Sequence, residues 1–155
     1  MITYGTLCFI MKNDKVLLLK KSKELFGGGK WNALGGKIKE GETEENCAIR
    51  ETFEETGLEV SNLEKMGTLN FFKDKDSQKP DWVVHVFLTK TFKGKLKKSR
   101  EGFLKWFDAS NAPLEEMWED DKYWYKNILE KKKFVGNFRF LENFEKIIDY
   151  KIEVI

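Results

Sequence analysis

Short runs of β-branched and aromatic residues dominate the first part of the chain and predict strands. Two such runs, at residues 2–11 and 16–20, are separated by Asn13 and Asp14, which favour the turn of a hairpin. Further runs of this kind predict three more strands, at residues 63–72, 82–91 and 102–107. The sheet is therefore expected to include strands from both halves of the chain.

One helix is predicted between two glycine-containing segments in the first half. Residues 35–42 favour a turn-rich loop, because glycines do not extend a helix comfortably. Thr43 is a suitable N-cap, and Gly57 stands where a left-handed C-terminal cap is expected. Ile49 and Phe53 are spaced four residues apart and are expected to face the core.

A second helix is predicted in the last third of the chain. Asp120 or Asp121 can cap it, and it is expected to continue to about Lys131. Its apolar side is expected to consist of Tyr123, Trp124, Ile128 and Leu129. Residues 134–141 and 144–152 predict a closing hairpin that turns at Glu142 and Asn143, with a short helix over 144–150 as the alternative. Strands outnumber helices, which predicts an α+β fold with a mixed sheet between helices.

Composition narrows the range of partners. The 155 residues suit one domain over 1–155, and a net charge of +2 gives no reason to expect nucleic acid or a membrane as partner. No signal peptide and no membrane-spanning apolar run is evident, so the cytoplasm is the simplest location. A monomer is expected. Cys8 and Cys47 do not form a spaced pair, which argues against a zinc site or a disulfide framework.

Three glutamates mark the first helix as a site of chemistry. Glu51, Glu54 and Glu55 are spaced so that they share one side of the helix, where like charges repel. Such a cluster calls for a compensating cation, and hard divalent ions take carboxylate oxygens. Arg50 is placed to hold one carboxylate in a bidentate pair. A helix with clustered carboxylates, reached from a glycine loop, predicts a Mg²⁺–phosphate site.

The same stretch resembles the Nudix box, which carries glycine, glutamate, Arg-Glu, Glu-Glu and glycine at these spacings, here Gly36, Glu42, Arg50-Glu51, Glu54-Glu55 and Gly57. The resemblance implies an α/β/α sandwich and cleavage of a nucleoside diphosphate linked to another group. It implies Mg²⁺, with Mn²⁺ as the alternative, on the Gly35 carbonyl, Glu51, Glu54, Glu55 and Glu101. One of the three helical glutamates would also take a proton from the attacking water.

Two further stretches, residues 29–37 and 117–124, resemble the branch of this family that hydrolyses oxidised purine nucleoside triphosphates to monophosphate and pyrophosphate. Their residues suit a purine pocket. Trp118 offers a face for stacking, and Asn32 carries both a donor and an acceptor. Asp120 and Asp121 are adjacent acids, so proximity is expected to raise one pKa, leaving one donor and one acceptor.

The resemblance implies a nucleoside triphosphate substrate, bound by Thr6, Lys21, Phe26, Asn32, Leu34, Gly36, Lys37, Phe71, Trp82, Trp118, Asp120 and Asp121, with Lys21 near the phosphates. Structural roles stay open for several of these residues. Trp118 suits the core, Asp120 a helix cap, Asn32 a loop and Lys21 the solvent. His85 is expected to be structural. Two other functions are considered: a Nudix hydrolase with another nucleotide substrate, and a binding module without catalysis.

Overall fold

A computed structural model describes residues 1–25, 28–99, 102–141, 144 and 146–155. The strands are β1 (Thr3–Lys12), β2 (Lys15–Lys21), β3 (Trp31–Asn32), β4 (Glu59–Ser61), β5 (Glu64–Phe72), β6 (Trp82–Thr89), β7 (Thr91–Lys93), β8 (Gly102–Asp108), β9 (Phe134–Leu141) and β10 (Lys146–Val154). The helices are α1 (Glu44–Thr56) and α2 (Asp121–Leu129), and 3₁₀ turns occupy Ala109–Asn111 and Leu114–Glu116.

The described strands form a mixed sheet organised around β1. Its order is β10-β9-β5-β6-β1-β2-β3, with β8 also paired to β2, while β4 and β7 form a separate ribbon. β1 runs parallel to β6 and β5 runs parallel to β9, whereas the other pairs are antiparallel. Isolated bridges from Gly5 to Lys37 and from Cys8 to Leu34 place the glycine loop beside β1.

A helix covers each face of this sheet. Alternate side chains of β1 point to opposite faces. Phe9 packs in one hydrophobic cluster with Trp124 of α2, and Ile10 packs in the other with Ala48 of α1. The expected α+β fold and α/β/α layering are therefore confirmed. No helix in the described part of the chain has the length and apolarity needed to cross a membrane.

Both ends of α1 follow the sequence prediction. The Thr43 side chain accepts a hydrogen bond from the Asn46 backbone N–H at 3.1 Å, which satisfies one of the unpaired donors of the first turn. At the other end Gly57 has φ of 81°, and its N–H donates to the Phe53 carbonyl. These two caps fix where the glutamate-bearing helix begins and ends.

The predicted core side of α1 is wrong at Phe53. Its side chain is 46% exposed, and the Lys97 ammonium lies 5.1 Å from the ring centroid. The helix instead buries small side chains, Cys47, Ala48, Thr52 and Thr56, together with Glu55. An apolar pair spaced i, i+4 shows that two residues share one side of a helix, but it does not show that this side packs against the core. In α1 the small residues form the packed side.

The C-terminal part confirms the hairpin and corrects the second helix. α2 ends at Leu129, which is 40% exposed and so does not belong to the buried face. Residues 146–154 form a strand, so the alternative of a short helix is wrong. Tyr150 on this strand packs against Tyr123 of α2, with 4.3 Å between ring centroids. Glu142 and Asn143, the predicted turn, lie outside the described residues.

The structure also shows a ribbon that the hydrophobic pattern did not reveal. The run predicted as one strand over 82–91 is split, since β6 ends at Thr89 and β7 begins at Thr91. β7 pairs with β4, a three-residue strand that directly follows α1. Three-residue strands are too short to show a hydrophobic alternation, which explains why the sequence did not predict them.

Candidate active site

A cavity of about 300 Å³ opens beside β1, the 32–37 loop and the turn that leads into α2. Most of the residues that the sequence nominated for substrate binding line it: Thr6, Lys21, Asn32, Gly36, Lys37, Phe71, Trp82, Trp118, Asp120 and Asp121. These residues come from distant parts of the chain, so the fold brings together what the sequence showed only as separate motifs.

Three nominated residues are placed elsewhere or lie outside the described ranges. Leu34 is fully buried in the hydrophobic cluster under α1, and its backbone pairs with Cys8, so its side chain contributes to the core. Its side chain is not among the residues that line the cavity. Phe26 and Glu101 lie outside the described residues.

The cavity wall also includes residues that the sequence did not nominate: Gly5, Leu7, Ala33, Val84, Phe140 and Phe144. Gly5 pairs with Val84 in the parallel β1–β6 register. The sequence indicated both strands, but which of their faces borders a cavity depends on pairing between segments about eighty residues apart. Alternation within one strand does not contain that information.

Asn32 is held in one orientation by two hydrogen bonds. The Trp118 indole N–H donates to Asn32 Oδ1 at 2.8 Å, and Asn32 Nδ2 donates to the Lys30 carbonyl at 2.8 Å. An indole N–H only donates, so the Asn32 oxygen must face it. One amide hydrogen is used by Lys30, and the amide has a second one to offer to a ligand. Asn32 and Trp118 are thus linked before any ligand enters.

Asp120 and Asp121 are both buried, with 5% and 6% of their surface exposed. Asp120 Oδ2 accepts the Trp124 indole N–H at 2.8 Å, and Asp121 Oδ2 accepts the Trp118 backbone N–H at 3.1 Å. Asp120 occupies the N-cap position of α2 without making a side-chain capping bond. The geometry therefore does not support the alternative that Asp120 is only a helix cap.

Burial controls the protonation of this pair. Desolvation raises the pKa of Asp120 to about 6, although the hydrogen bond from Trp124 opposes the shift. Desolvation, with the neighbouring Asp120 charge as the second cause, raises the pKa of Asp121 well above its usual value. Near neutral pH the two carboxyls consequently hold about one proton between them. The sequence-based prediction of a shared proton agrees with this arrangement.

Positive charge lies at the same cavity. Lys21 and Lys37 line it, and the Lys37 ammonium is 5.5 Å from the centroid of the Trp82 ring. Lys21 is partly buried, which does not fit the alternative of a plain exposed lysine. A site with aromatic faces, buried acids and two ammonium groups has the features needed to bind both a polar base and phosphates.

The glutamates of α1 surround one guanidinium. Arg50 forms a bidentate pair with Glu42, at 2.7 and 2.9 Å, and its Nη1 also donates to Glu51 at 2.7 Å. The same nitrogen lies 3.2 Å from Glu54. Arg50 thus supplies part of the positive charge that the clustered carboxylates require. The predicted bidentate pair is present, with Glu42 as its acid.

Two glycines join this carboxylate face to the cavity. The Gly35 N–H donates to Glu55 at 2.9 Å, and Gly35 has φ of 152°, where a Cβ would meet the Thr6 carbonyl oxygen at 1.9 Å. A Cβ on Gly36 would approach the carboxyl carbon of Glu51 to 2.4 Å. The 35–36 backbone therefore lies directly between the cavity and the glutamates. Only glycine fits at position 35, whereas a side chain at position 36 would displace the Glu51 carboxylate.

Comparison with known proteins decides the family. The profile of the Nudix domain matches residues 1–128. This chain belongs to the Nudix family. The prediction from the residue 36–58 motif is confirmed, and the chain is a Nudix hydrolase.

Individual relatives extend the likeness over nearly the whole chain. The oxidised purine nucleoside triphosphate hydrolase of Danio rerio is 38% identical over 150 residues, covering 97% of this chain and 94% of the relative. The protein of the same name from Mus musculus has the same identity and coverage. The solved MutT protein of Bacillus halodurans matches with a TM-score of 0.86 at 30% identity, covering 98% of each chain.

Nudix hydrolases generally need a divalent metal ion, and the donor chemistry here fits one. Carboxylate and carbonyl oxygens are what hard divalent cations take, and Glu51, Glu54 and Glu55 supply carboxylates on one helix, with Glu55 bonded to the Gly35 backbone N–H. Among the described residues no three acidic, histidine or cysteine side chains already converge as a metal-ligand cluster. Arg50 holds Glu51 and Glu54, and Gly35 holds Glu55, so metal binding would redirect these contacts.

His85 lies at a different surface. It borders a shallow groove of about 620 Å³ together with Glu44, Lys37 and Lys39. Its Nδ1 is 3.3 Å from a carboxylate oxygen of Glu44, and burial lowers its pKa. His85 is not among the residues lining the aspartate cavity, so the chemistry proposed below does not use it.

Proposed function

We propose that this Nudix hydrolase converts oxidised purine nucleoside triphosphates, such as 8-oxo-dGTP, to the monophosphate and pyrophosphate. The observation that carries the proposal is the buried Asp120–Asp121 pair, which shares a cavity with Trp118 and the oriented amide of Asn32. Together these groups can donate and accept hydrogen bonds along the polar edge of a base. The full-length similarity to proteins named oxidised purine nucleoside triphosphate hydrolases supports the same substrate class.

The aspartate pair suits an oxidised base for a chemical reason. Oxidation of guanine at C8 converts N7 from an acceptor to an N–H donor and adds a carbonyl. Two carboxyls that share one proton offer one donor and one acceptor, and Asn32 adds an amide donor. An ordinary purine places an acceptor where the oxidised one has a donor, and a buried mismatch of that kind costs about 1–3 kcal/mol. The pair would therefore discriminate between the two bases.

Aromatic side chains provide the binding surface for the ring. Trp118, Trp82 and Phe71 border the cavity, and Phe140 and Phe144 extend the apolar wall. Stacking on an aromatic side chain contributes about 1–3 kcal/mol per base. This contribution does not depend on the oxidation state of the base, so Trp118 supplies affinity while the polar groups supply selection.

The phosphates are assigned to the loop side of the site. Lys21 and Lys37 would bind phosphate oxygens, and Glu51, Glu54 and Glu55 with the Gly35 carbonyl would hold Mg²⁺, or Mn²⁺ as the alternative. When bound, the metal supplies charge stabilisation for the phosphates and lowers the pKa of water. One of the glutamates takes a proton from the attacking water. Glu101 stays a candidate ligand.

Two other functions are less well supported. A Nudix hydrolase for a different nucleotide would not need two buried, proton-sharing acids at its base site. A binding module without catalysis would not need to keep Glu51, Glu54 and Glu55 together, because like charges on one helix face are unfavourable. We expect the protein to act on free nucleotides as a cytoplasmic monomer.

A substrate panel with product analysis in ¹⁸O-labelled water tests the proposal. We expect 8-oxo-dGTP and 2-hydroxy-dATP to be turned over with higher kcat/KM than dGTP and dATP, giving monophosphate and pyrophosphate in equal amounts. Orthophosphate as the primary product would mean a different bond is cleaved. Preference for a nucleotide sugar or a dinucleotide would replace the substrate class and leave the Nudix chemistry in place.

A further inference from the structure

The two aspartates of the cavity are not equivalent, because different groups hold them. Asp120 Oδ2 accepts an indole N–H at 2.8 Å, whereas Asp121 Oδ2 accepts a backbone N–H at 3.1 Å. A shorter bond from a nitrogen donor favours the ionised form of its carboxyl more strongly. The larger hydrogen-bond contribution to this asymmetry comes from Trp124, a residue of α2 that the sequence suggested only as part of the apolar face.

Trp124 is fixed in place by the core. It is fully buried, stacked on Phe134 with 5.7 Å between ring centroids, and packed edge-on against Phe9 at 5.8 Å. A buried tryptophan needs a partner for its N–H, and this ring is held so that the N–H meets Asp120. The hydrogen bond consequently does not depend on a mobile side chain.

We propose that Trp124 is a specificity-determining positioning residue: its indole N–H keeps Asp120 an ionised acceptor and so leaves the shared proton on Asp121. This inference rests on the proposed function for its biological meaning, but the location of the proton is a property of the protein without substrate. One oxygen of Asp120 is engaged by Trp124, which leaves the other to accept from a base N–H. Asp121 then acts as the donor of the pair.

The charged surroundings do not provide another source of the asymmetry. Glu119, on the same turn, raises the pKa of Asp120 and thus opposes the assignment. Lys21 and Lys37 are the basic side chains among the described residues that line the cavity, and both face it from other elements. Two hydrogen bonds lower the pKa of Asp120, and the one from Trp124 contributes more than the one from the Asp120 backbone N–H. The preference for an ionised Asp120 accordingly depends mainly on the Trp124 hydrogen bond.

The test is a ¹³C NMR titration of the aspartate carboxyls in the ligand-free protein. Wild type, Trp124→Phe and Tyr125→Phe would be compared, with Asp120→Asn and Asp121→Asn used to assign the signals. Trp124→Phe keeps an aromatic ring and removes the donor. Tyr125→Phe is the matched control, because Tyr125 is a buried neighbour whose hydroxyl donates to the Ala109 carbonyl at 2.7 Å rather than to an aspartate.

In wild type we expect Asp120 to titrate at lower pH than Asp121. Trp124→Phe should raise the Asp120 midpoint by about 1 pH unit or more, the size expected for losing a hydrogen bond to a charged group, and should close or reverse the gap. Tyr125→Phe should leave both midpoints unchanged. If Trp124→Phe does not fold, 3-benzothienylalanine at position 124 removes the N–H and keeps the volume.

Three results would overturn the inference: an unchanged Asp120 midpoint without the indole N–H, an equal shift in Tyr125→Phe, or Asp121 titrating first in wild type.

A kinetic readout complements the titration. Trp124→Phe should change the pH at which 8-oxo-dGTP is preferred over dGTP by the same amount as the NMR midpoint. A failed substrate panel with the expected titration would reject the proposed function and leave the role of Trp124 intact.

Discussion

The aspartate cavity and the face of α1 that carries Glu51, Glu54 and Glu55, here called the glutamate face, both bring acidic side chains close together. The two regions limit the repulsion between these acids in opposite ways. Asp120 and Asp121 are almost completely buried and keep a proton between them. Glu51 and Glu54 are more accessible and pair with Arg50, with 18% and 52% of their side-chain surface exposed. A buried pair without a cation lowers its charge by protonation, whereas a pair that meets a guanidinium keeps it.

This difference indicates a division of labour. Protonated and ionised carboxyls side by side offer both hydrogen-bond polarities, which suits recognition of a base. Fully charged carboxylates offer only acceptor oxygens, which suits metal binding and proton removal from water. Gly35 and Gly36 connect the two regions, since their backbone borders the cavity and touches Glu55 and Glu51.

The largest effect is expected at the glutamate face. Glu54→Gln keeps the size of the side chain but removes its charge and basicity, so kcat should fall by about 10²-fold or more. Glu45→Gln, an exposed glutamate in the first turn of the same helix, is the control and should retain activity. Near-normal turnover of Glu54→Gln at saturating Mg²⁺, measured by steady-state kinetics, would remove Glu54 from the metal site.

Gly36→Ala tests the connection between the two regions. The added methyl group would approach the Glu51 carboxyl carbon to 2.4 Å, so this carboxylate must move. A displacement of about 1 Å at a catalytic group costs up to roughly 10²-fold in rate, and we expect a loss of about 10- to 100-fold in kcat. Circular dichroism should show an intact fold. Unchanged kcat would mean that Glu51 does not act from its position against Gly36.

A change in the cavity is expected to act on kcat/KM for the oxidised base. Asp120→Asn keeps an oxygen that accepts from Trp124 but replaces the titratable carboxyl by an amide. One mismatched buried hydrogen bond costs about 1–3 kcal/mol, so kcat/KM for 8-oxo-dGTP should fall by about 10-fold or more. Asp76→Asn, in an exposed loop, is the control. The same substrate ranking and pH dependence as wild type would show that Asp120 does not read the base.

The smallest effect is a pH dependence of stability that has opposite signs in the two regions. Arg50 lowers the pKa of Glu42 from 4.5 to about 2, so the unfolded chain binds the proton at higher pH. The stabilisation from Glu42 is complete above its unfolded pKa and lost as the pH falls through 4.5 toward 2. Glu42→Gln should abolish that acid loss in chemical denaturation measured between about pH 3 and pH 7.

Asp120 should contribute a pH dependence of stability with the opposite sign. Its pKa rises from 3.8 to about 6, so the folded protein holds the proton to higher pH than the unfolded chain. Its contribution is most favourable below 3.8 and declines as the pH rises through about 6. The same denaturation series should show that Asp120→Asn lacks this decline. Equal slopes in wild type and variant would mean that Asp120 is not protonated in the folded state.

Much of the contrast between the aspartate pair and the glutamates could be predicted from the sequence, because it depends on short local motifs. The spacing of Glu51, Glu54 and Glu55 and the adjacency of Asp120 and Asp121 require no tertiary information. The Thr43 and Gly57 caps follow from local backbone chemistry and are observed. These features depend on neighbours within one or two helical turns.

The features that the sequence did not predict depend on long-range packing. Phe53 is exposed because α1 packs through small residues, and Leu34 lies in the core because its backbone pairs with Cys8. The donor from Trp124 to Asp120 is invisible in the sequence, where a tryptophan on an apolar helix face simply indicates burial. Its polar role depends on how Phe9 and Phe134 orient the ring.

The most direct test of the division of labour is the ratio of kcat/KM for 8-oxo-dGTP to kcat/KM for dGTP, measured in wild type, Glu54→Gln and Asp120→Asn. Glu54→Gln should slow both substrates and leave the ratio within about twofold of wild type, because the glutamate face does not contact the base. Asp120→Asn should reduce the ratio by about 10-fold or more. A ratio that is unchanged in Asp120→Asn, or that falls equally in Glu54→Gln, would contradict the assignment of selection to the aspartates and of chemistry to the glutamates.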